Sequence, residues 1–281
     1  MNQNHPYFGL SAVLATKHGK GKDIAPPFLN YLGMRVEEVN VDTDSLGTFS
    51  GEIERNGHPQ DVVIAKARLG VQESGCPRAI ASEGSIGADP FIPFINSDIE
   101  FIALVDEERG IQVVETFRST DIIAQSIRLT ESKNLEHFLE KADFPRHKLI
   151  VRSDDKQTSF CLKGIDDSDA LHQALTDGFH QFPSLIVESD LRAHCSPTRQ
   201  ANIALAAKKL AMRLSYQCPE CATPGWGVIG YNKGLPCLDC GEISLVALES
   251  EILGCSACSY RESGKTLAKS IDPSRCDLCN P

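Results

Sequence analysis

The 281-residue sequence lacks any apolar run near the roughly 20 residues that a helix needs to cross a bilayer. The apolar stretch from Tyr7 to Ala15 is short, and no small-residue cleavage site follows it. We therefore interpret it as a buried strand and not as a signal peptide. The expectation is a cytoplasmic protein that does not enter a membrane.

The sequence also lacks an excess of basic residues. It has 28 Lys and Arg against 38 Asp and Glu, which gives a formal net charge of -10. Proteins that grip phosphate backbones usually carry a basic surface, so this balance disfavours nucleic acid as the main partner. A local anion site remains compatible with it.

Cysteine is scarce before residue 218, where only Cys76, Cys161 and Cys195 of the eleven cysteines occur. A disulfide scaffold more often scatters its cysteines over a small secreted chain. The other eight cysteines form four Cys-x-x-Cys pairs, which are Cys218/Cys221, Cys237/Cys240, Cys255/Cys258 and Cys276/Cys279.

Four such pairs predict two structural zinc ions in a zinc-ribbon domain. Two intervening residues let both thiolates of a pair reach one ion, and two pairs complete a tetrahedron with no open position for catalysis. A redox dithiol needs only one pair. An iron–sulfur cluster stays open, but spacers of 15, 14 and 17 residues suit a hairpin between pairs and favour zinc. Pairing the first with the second and the third with the fourth is favoured over interleaved pairing.

The cysteine region contains five basic and eight acidic residues. Ribbons that bind DNA or RNA usually carry basic fingers, so a scaffold or a protein-contact role is the better interpretation of this region. It is also poor in core residues, so it needs metal in order to fold.

The first 217 residues alternate short β-branched runs with helical periodicity, which predicts an α/β domain with a mixed sheet over residues 1–217. A small zinc-binding domain then spans residues 218–281. The clearest helix follows Ser196 as N-cap and Pro197 in its first turn. Strands are predicted at 11–16, 35–41, 78–83, 99–105, 112–117, 148–152, 159–163 and 184–188.

Two polar segments predict a phosphate and metal site. The turn at residues 15–22 follows the first strand, and its Thr16, Lys20 or Lys22 and glycines resemble a phosphate cradle. Asp44 and Glu52 lie in a second acidic segment, and Glu83 ends an apolar strand. Carboxylates at strand ends near phosphate are what Mg²⁺ requires; a solvated loop is the alternative.

A third polar segment, residues 188–199, joins a strand to the clearest helix. Arg199 lies in the first turn, where the helix dipole disfavours a cation, so we expect an anionic partner. Glu188 or Asp190 could supply it, or a ligand could. A Cys195 nucleophile beside His194 is disfavoured, because neighbours on an extended segment point apart.

In succession, these segments resemble the nucleoside triphosphate pyrophosphatases of the inosine-triphosphatase fold. Thr16 matches the triphosphate turn, Gly47-Thr48-Phe49 the acidic segment, Lys66-Ala67 the helix and Ser82-Glu83-Gly84 the metal-bearing strand end. His194 and Arg199 resemble the base-reading turn, although they are not adjacent. The whole chain also resembles an uncharacterised bacterial family of unknown function, in which Arg-Ala-His and Pro-Thr-Arg precede the cysteine pairs.

The first resemblance implies a Mg²⁺-dependent hydrolase of a nucleotide or related phosphoanhydride. Glu83, with Asp44 or Glu52, would hold the metal, and Thr16, Lys20 and Lys66 would neutralise phosphate charge. His194 and Arg199 would contact the rest of the substrate. The alternative is a non-enzymatic ligand-binding α/β domain whose zinc scaffold docks a protein partner.

Overall fold

The computed structural model of the chain describes residues 3–17, 19–43, 57–131, 135–155 and 160–281. Three sheets and five α-helices occupy these ranges. The first sheet contains β1 (Ser11–Ala15), β2 (Arg35–Val39), β3 (Arg78–Ala88), β4 (Asn96–Asp106) and β5 (Ile111–Ser119), with α1 (Gly21–Leu32) and α2 (Pro59–Ser74) between its strands.

The first sheet has the order β2-β1-β3-β4-β5. β1 runs parallel to β2 and β3, whereas β3, β4 and β5 pair antiparallel, so the predicted mixed sheet is confirmed. One face buries Ile80, Ile102 and Leu104 in a core shared with α1 and the last helix, α5 (Pro197–Ser215). The other face packs against Val63 and Ala67 of α2.

The second sheet is antiparallel and has its own core. Its strands are β6 (Ser126–Leu129), β7 (Leu149–Ser153), β8 (Cys161–Ile165) and β9 (Leu185–Ser189), in the order β6-β9-β7-β8. The helices α3 (Glu136–Lys141) and α4 (Ser168–Gln181) connect its strands. β6 is absent from the sequence prediction, because its four residues are too few to show a clear alternation.

The helix α5 begins as its sequence predicts. The Ser196 side chain accepts a hydrogen bond from the backbone N–H of Arg199 (3.5 Å), and Pro197 stands in the first turn. Ile203, Leu210 and Leu214 are fully buried against the first sheet. The cap therefore fixes the point at which the third polar segment enters the core.

The third sheet is a meander of β10 (Gly227–Pro236), β11 (Ile243–Gly254) and β12 (Arg261–Thr266), in that order. Its buried cluster is small and comprises Leu235, Cys237, Ile271 and Cys276. Within the described ranges, no helix combines the length and the hydropathy that a membrane crossing requires.

Candidate functional site

Among the residues that the structure describes, β3 has an open edge at the carboxyl end of β1. The pairing of β1 with β3 reaches Leu14 and Ile80, but β3 continues to Ala88. The chain turns away after Ala15 and enters α1. In open α/β sheets, this is the place where ligands bind. Residues 82–84 of β3 lie along this edge, and we call the region around them the β1 cleft.

Lys20 reaches the β1 cleft from the N-cap position of α1, and its Nζ donates to the Ser82 hydroxyl (3.0 Å). The pKa of Lys20 is lowered to about 8, mainly by burial and then by the nearby cations Arg199 and Lys66. Glu100 and Glu83 act in the opposite direction. Lys20 therefore lies in the field of four charged side chains, whereas Lys22 is exposed.

Lys66 and Glu83 form a buried ion pair beside the cleft. The Nζ of Lys66 on α2 lies 2.7 Å from the Oε2 of Glu83 on β3, and the side chains are 9% and 5% exposed. Glu83 pairs with Phe101 in register, so it points to the face that α2 covers. The pair supplies a carboxylate and a cation at the same end of the sheet.

Arg199 approaches from the opposite face of the sheet. Its Nε donates to Glu100 Oε1 (2.7 Å) and its Nη1 to the Leu191 carbonyl (2.8 Å). The expectation of an anionic partner is confirmed, but the two named candidates are wrong. Glu188 pairs with Arg152 and Asp190 with Arg192, because those carboxylates belong to the second sheet and the turn that follows it.

Gly84 lets this ion pair lie against the β3 backbone. A Cβ atom at Gly84 would overlap the Arg199 guanidinium, and it would also press on the Glu100 carboxyl group. Any side chain here must displace one of the two groups. The glycine in the predicted metal-bearing motif is therefore needed for close approach.

The other predicted residues have different positions. Thr16 directly follows β1, is 8% exposed and donates its backbone N–H to Val39 (3.3 Å). His194 is exposed in a 3₁₀ turn, and its charged neighbours are Arg192, Asp190 and Lys148, none of which belongs to the cleft. Asp44 and Glu52 lie outside the described residues. The catalytic and binding roles assigned to all these residues stay predictions.

Sequence reasoning missed the carboxylates of β4. Asp98 and Glu100 are both fully buried, and Asn202 of α5 donates to Asp98 Oδ2 (2.9 Å). The available signal was their spacing with Ile102, since residues at i, i+2 and i+4 of a strand share one face. Two acidic residues on the buried face of a strand need hydrogen-bond donors or cations beside them, because an unpartnered buried carboxylate is costly.

The eight C-terminal cysteines form two tetrads. The first contains Cys218, Cys221, Cys255 and Cys258, and the second contains Cys237, Cys240, Cys276 and Cys279. The Sγ–Sγ distances include 3.8 and 3.5 Å in the first tetrad and 3.9 and 3.6 Å in the second. Four thiolates about 2.3 Å from one zinc ion would be about 3.8 Å apart. Both tetrads can therefore hold a metal ion such as zinc.

The tetrads are interleaved, so the favoured pairing of neighbouring Cys-x-x-Cys pairs is wrong. The spacer between the first and second Cys-x-x-Cys pairs contains one long strand, β10, and not a hairpin. The spacer between the second and third pairs likewise contains one long strand, β11. A strand of ten residues separates its ends by about 30 Å. The meander therefore gathers the first and third pairs at one end of the sheet and the second and fourth at the other.

Local hydrogen bonds favour the thiolate form, which a metal requires, at Cys237 and Cys221, whereas burial and the thiols of the same tetrad raise the pKa of Cys258 and Cys279. Backbone N–H groups of Cys240 and Asp239 lower the pKa of Cys237 to about 7. The Thr223 hydroxyl, 3.3 Å from Cys221, lowers the pKa of that thiol to about 6. The first tetrad also lies beside the first sheet, because Arg213 of α5 donates to the Gly225 carbonyl (3.1 Å).

The sequence matches one family model over residues 66–281, which is more than half of the chain. The match includes the second half of α2, the cleft strands β3 and β4, the second sheet and both tetrads. No curated protein matches the sequence. The resemblance to an uncharacterised family is thus confirmed, whereas the resemblance to nucleotide pyrophosphatases gains no support. The chain belongs to the family described as Domain of unknown function (DUF6671).

Proposed function

We propose that the β1 cleft binds the phosphate groups of a nucleotide or a related phosphoanhydride. The observation that carries the proposal is the convergence of Lys20, Lys66 and Arg199, from three different helices, on the open edge of β3. The positive charges of Lys66 and Arg199 lower the pKa of Lys20. An anionic ligand would relieve this repulsion between cations.

Hydrolysis with Mg²⁺ is the activity that this arrangement supports. The ligand would enter as its Mg²⁺ complex, with Glu83 as the nearby carboxylate and Lys20 and Lys66 against the phosphate oxygens. Phosphoryl chemistry depends on positioning and charge neutralisation more than on covalent steps, so a cationic cleft beside a carboxylate is suitable. Thr16 would add a donor at the carboxyl end of β1.

Binding without turnover is the second candidate, and a specific contact favours it. Glu83 already forms a buried ion pair with Lys66 at 2.7 Å. A metal ion that used this carboxylate would have to displace an ammonium group, whereas an anion could bind beside the pair as it stands.

The first experiment measures binding and turnover separately. Affinity for a panel of nucleoside triphosphates is measured calorimetrically with and without Mg²⁺, and release of phosphate or pyrophosphate is followed in parallel. Lys20→Met should weaken binding at least tenfold, while the matched change Lys22→Met on the exposed side of the same helix should not.

Glu83→Gln then distinguishes the two candidates. Turnover that disappears in this variant while binding persists supports the hydrolase. Binding without any turnover in the wild-type protein supports the ligand-binding module. Equal affinities of the wild-type and Lys20→Met proteins for every nucleotide would contradict both.

We also propose that each tetrad holds one structural zinc ion and that the second tetrad carries a docking surface for a protein partner. Leu238 and Leu278 flank the cysteines of that tetrad and are 71% and 66% exposed. Leu245 and Val246 project from an irregular stretch of β11, beside a pocket of about 240 Å³ with Glu242 and Asp277 in its wall. An apolar surface with acidic residues suits a partner with apolar and basic side chains.

Metal analysis should give two zinc ions per chain in both the wild-type protein and Leu245→Asp/Leu278→Asp. A partner that binds this surface should be retained from a lysate by the wild-type protein and lost with the double variant. Equal retention by both proteins would place the partner elsewhere.

A further inference from the structure

Two buried carboxylate oxygens beside the β1 cleft lack a hydrogen-bond partner. They are Asp98 Oδ1 and Glu100 Oε2, and within the described residues only two other buried side-chain atoms share this condition. Both side chains are fully buried. An unpartnered buried carboxylate oxygen is costly, so this pair needs a physical explanation.

The two carboxyl groups are neighbours on one face of β4. Asp98 and Glu100 stand two residues apart, opposite Ile86 and Gly84 of β3. Their remaining oxygens are occupied, since Asn202 donates to Asp98 Oδ2 (2.9 Å) and Arg199 donates to Glu100 Oε1 (2.7 Å). The two carboxyl groups are also close enough to hydrogen-bond to each other.

We propose that Asp98 and Glu100 share one proton, and that the pair acts as a positioning group for Arg199 in the anion cleft. The second part rests on the function proposed above. One proton between the carboxyl groups satisfies both orphan oxygens and removes one of two repelling charges. The remaining charge balances Arg199, which is then held against Gly84 at the edge of β3.

The electrostatics of the site agree with a shared proton. The pKa of Asp98 is raised to about 7, mainly by burial and then by the neighbouring charge of Glu100, while Asn202 and Arg199 oppose the shift. The pair faces Arg199 and Asn202 on α5 and Lys20 at the N-cap of α1. Only Arg199 and Lys20 among them are cations.

The shared proton has a consequence for the cleft. When the pH rises through about 7, the pair gains a second negative charge close to Arg199 and Lys20. Part of the positive potential that would attract an anion is then cancelled within the protein. Anion affinity should therefore fall over this range, before Lys20 itself loses its proton near pH 8.

The first test needs no ligand. Asp98→Asn replaces the protonated acid by a neutral amide of the same shape. The wild-type protein should lose stability as the pH rises from about 4 to about 7, because the folded chain retains a proton that the unfolded chain releases. In thermal unfolding, Asp98→Asn should therefore gain stability relative to the wild-type protein between pH 5 and pH 8.

An equal loss of stability in Asp98→Asn at both pH values would show an ionised Asp98 and overturn the proposal. Glu100→Gln is the matched control and should be destabilising at pH 5 and pH 8, because it removes the carboxylate charge to which Arg199 donates. If Asp98→Asn does not fold, a ¹³C carboxyl titration of wild-type Asp98 decides. A midpoint near 7 supports the shared proton, and one below 4 rejects it.

The second test uses inorganic pyrophosphate as the probe. Its affinity for the wild-type protein should fall several-fold from pH 6 to pH 7.5, and the fall should be smaller in Asp98→Asn. Equal falls in both proteins would overturn the positioning role. Absence of binding at any pH would contradict the proposed function while leaving the stability test valid. A thermal shift by Mn²⁺ alone that Asp98→Asn abolishes would indicate a cation in place of the proton.

Discussion

The first and third sheets contain strands of similar length but differ in what their side chains contact. β3 and β4 have eleven residues each, and their central residues are buried on both faces by α1, α2 and α5. β10, β11 and β12 leave most of their side chains exposed or half-buried, with four buried residues in their one cluster.

This contrast indicates two different sources of stability. Burial of apolar surface stabilises the first sheet at roughly 25 cal/mol per Å². The third sheet buries too little for that term to offset the entropy of ordering its chain. Its strand ends are instead gathered by the cysteine tetrads, so metal binding should supply its folding free energy.

Metal removal should therefore have the largest effect on stability, and it should affect the third sheet and not the first. A strong chelator should unfold the region around the tetrads, since structural zinc contributes on the order of 10 kcal/mol in small metal-dependent domains. Amide hydrogen exchange should show lost protection in β10–β12 while β3 and β4 remain protected. Loss of protection in both sheets together would show that they fold as one unit.

The interleaved tetrads sharpen this prediction. Cys255→Ser should remove the first metal site, at the end of the sheet next to α5, and Cys276→Ser should remove the second, at the far end. The first change should also reduce protection at the C-terminal end of α5, where Arg213 contacts Gly225. The second should leave α5 unchanged.

In the first sheet, the largest single effect should come from the buried ion pair. Lys66→Met would remove the ammonium partner of buried Glu83, and breaking a buried ion pair in this way typically costs about 3–5 kcal/mol. Lys66→Met/Glu83→Gln should recover much of that loss in chemical denaturation, because no isolated charge remains. Lys17→Ala is the control, since its pair with Asp42 is 43% and 72% exposed and should contribute under about 1 kcal/mol.

The same contrast explains what the sequence could and could not predict. The strands of the first sheet were predictable because β-branched apolar runs end at polar turns, and Ser196-Pro197 marks the start of α5. The cysteine tetrads were predictable as ligands but not in their pairing. Pairing depends on whether the 15 residues after Cys221 form one strand or two, and β10 shows one.

The cleft was predictable only in part. Lys20, Lys66 and Glu83 follow from residue types at the ends of strands and within a helix, but the partner of Arg199 does not. Glu100 is 99 positions away from Arg199, and the two meet because β4 and α5 share a face of the sheet. Such long-range contacts leave little local signal in the sequence, apart from acidic residues on a core-facing stripe.

Gly84→Ala tests the close approach at the cleft with a smaller expected effect. The added methyl group would overlap Arg199 and press on Glu100, and overpacking of this kind costs about 1–3 kcal/mol. Gly87→Ala on the same strand is the matched control, because a Cβ atom there meets nothing within 4 Å. Equal melting temperatures for the two variants would show that Arg199 moves aside without cost.

The smallest expected effect concerns pH and the second sheet. His147 is 1% exposed, with Nδ1 3.1 Å from Asp143 Oδ2 and Nε2 accepting the Thr198 backbone N–H at 3.3 Å. Burial lowers the pKa of His147, and the Asp143 carboxylate opposes this shift only partly. The neutral ring, with its proton on Nδ1, therefore joins the second sheet region to the first turn of α5.

The sign of the pH effect follows from that shift. As the pH falls below 6.5, the unfolded chain takes up a proton on this histidine before the folded chain does, so the free energy of unfolding decreases. His147→Gln should reduce the decrease, whereas His172→Gln on the exposed face of α4 should not. His5 also has a lowered pKa, mainly through burial, so part of the acid sensitivity should persist in His147→Gln. If His147→Gln shows the same pH dependence as the wild-type protein, folding does not lower the pKa of His147.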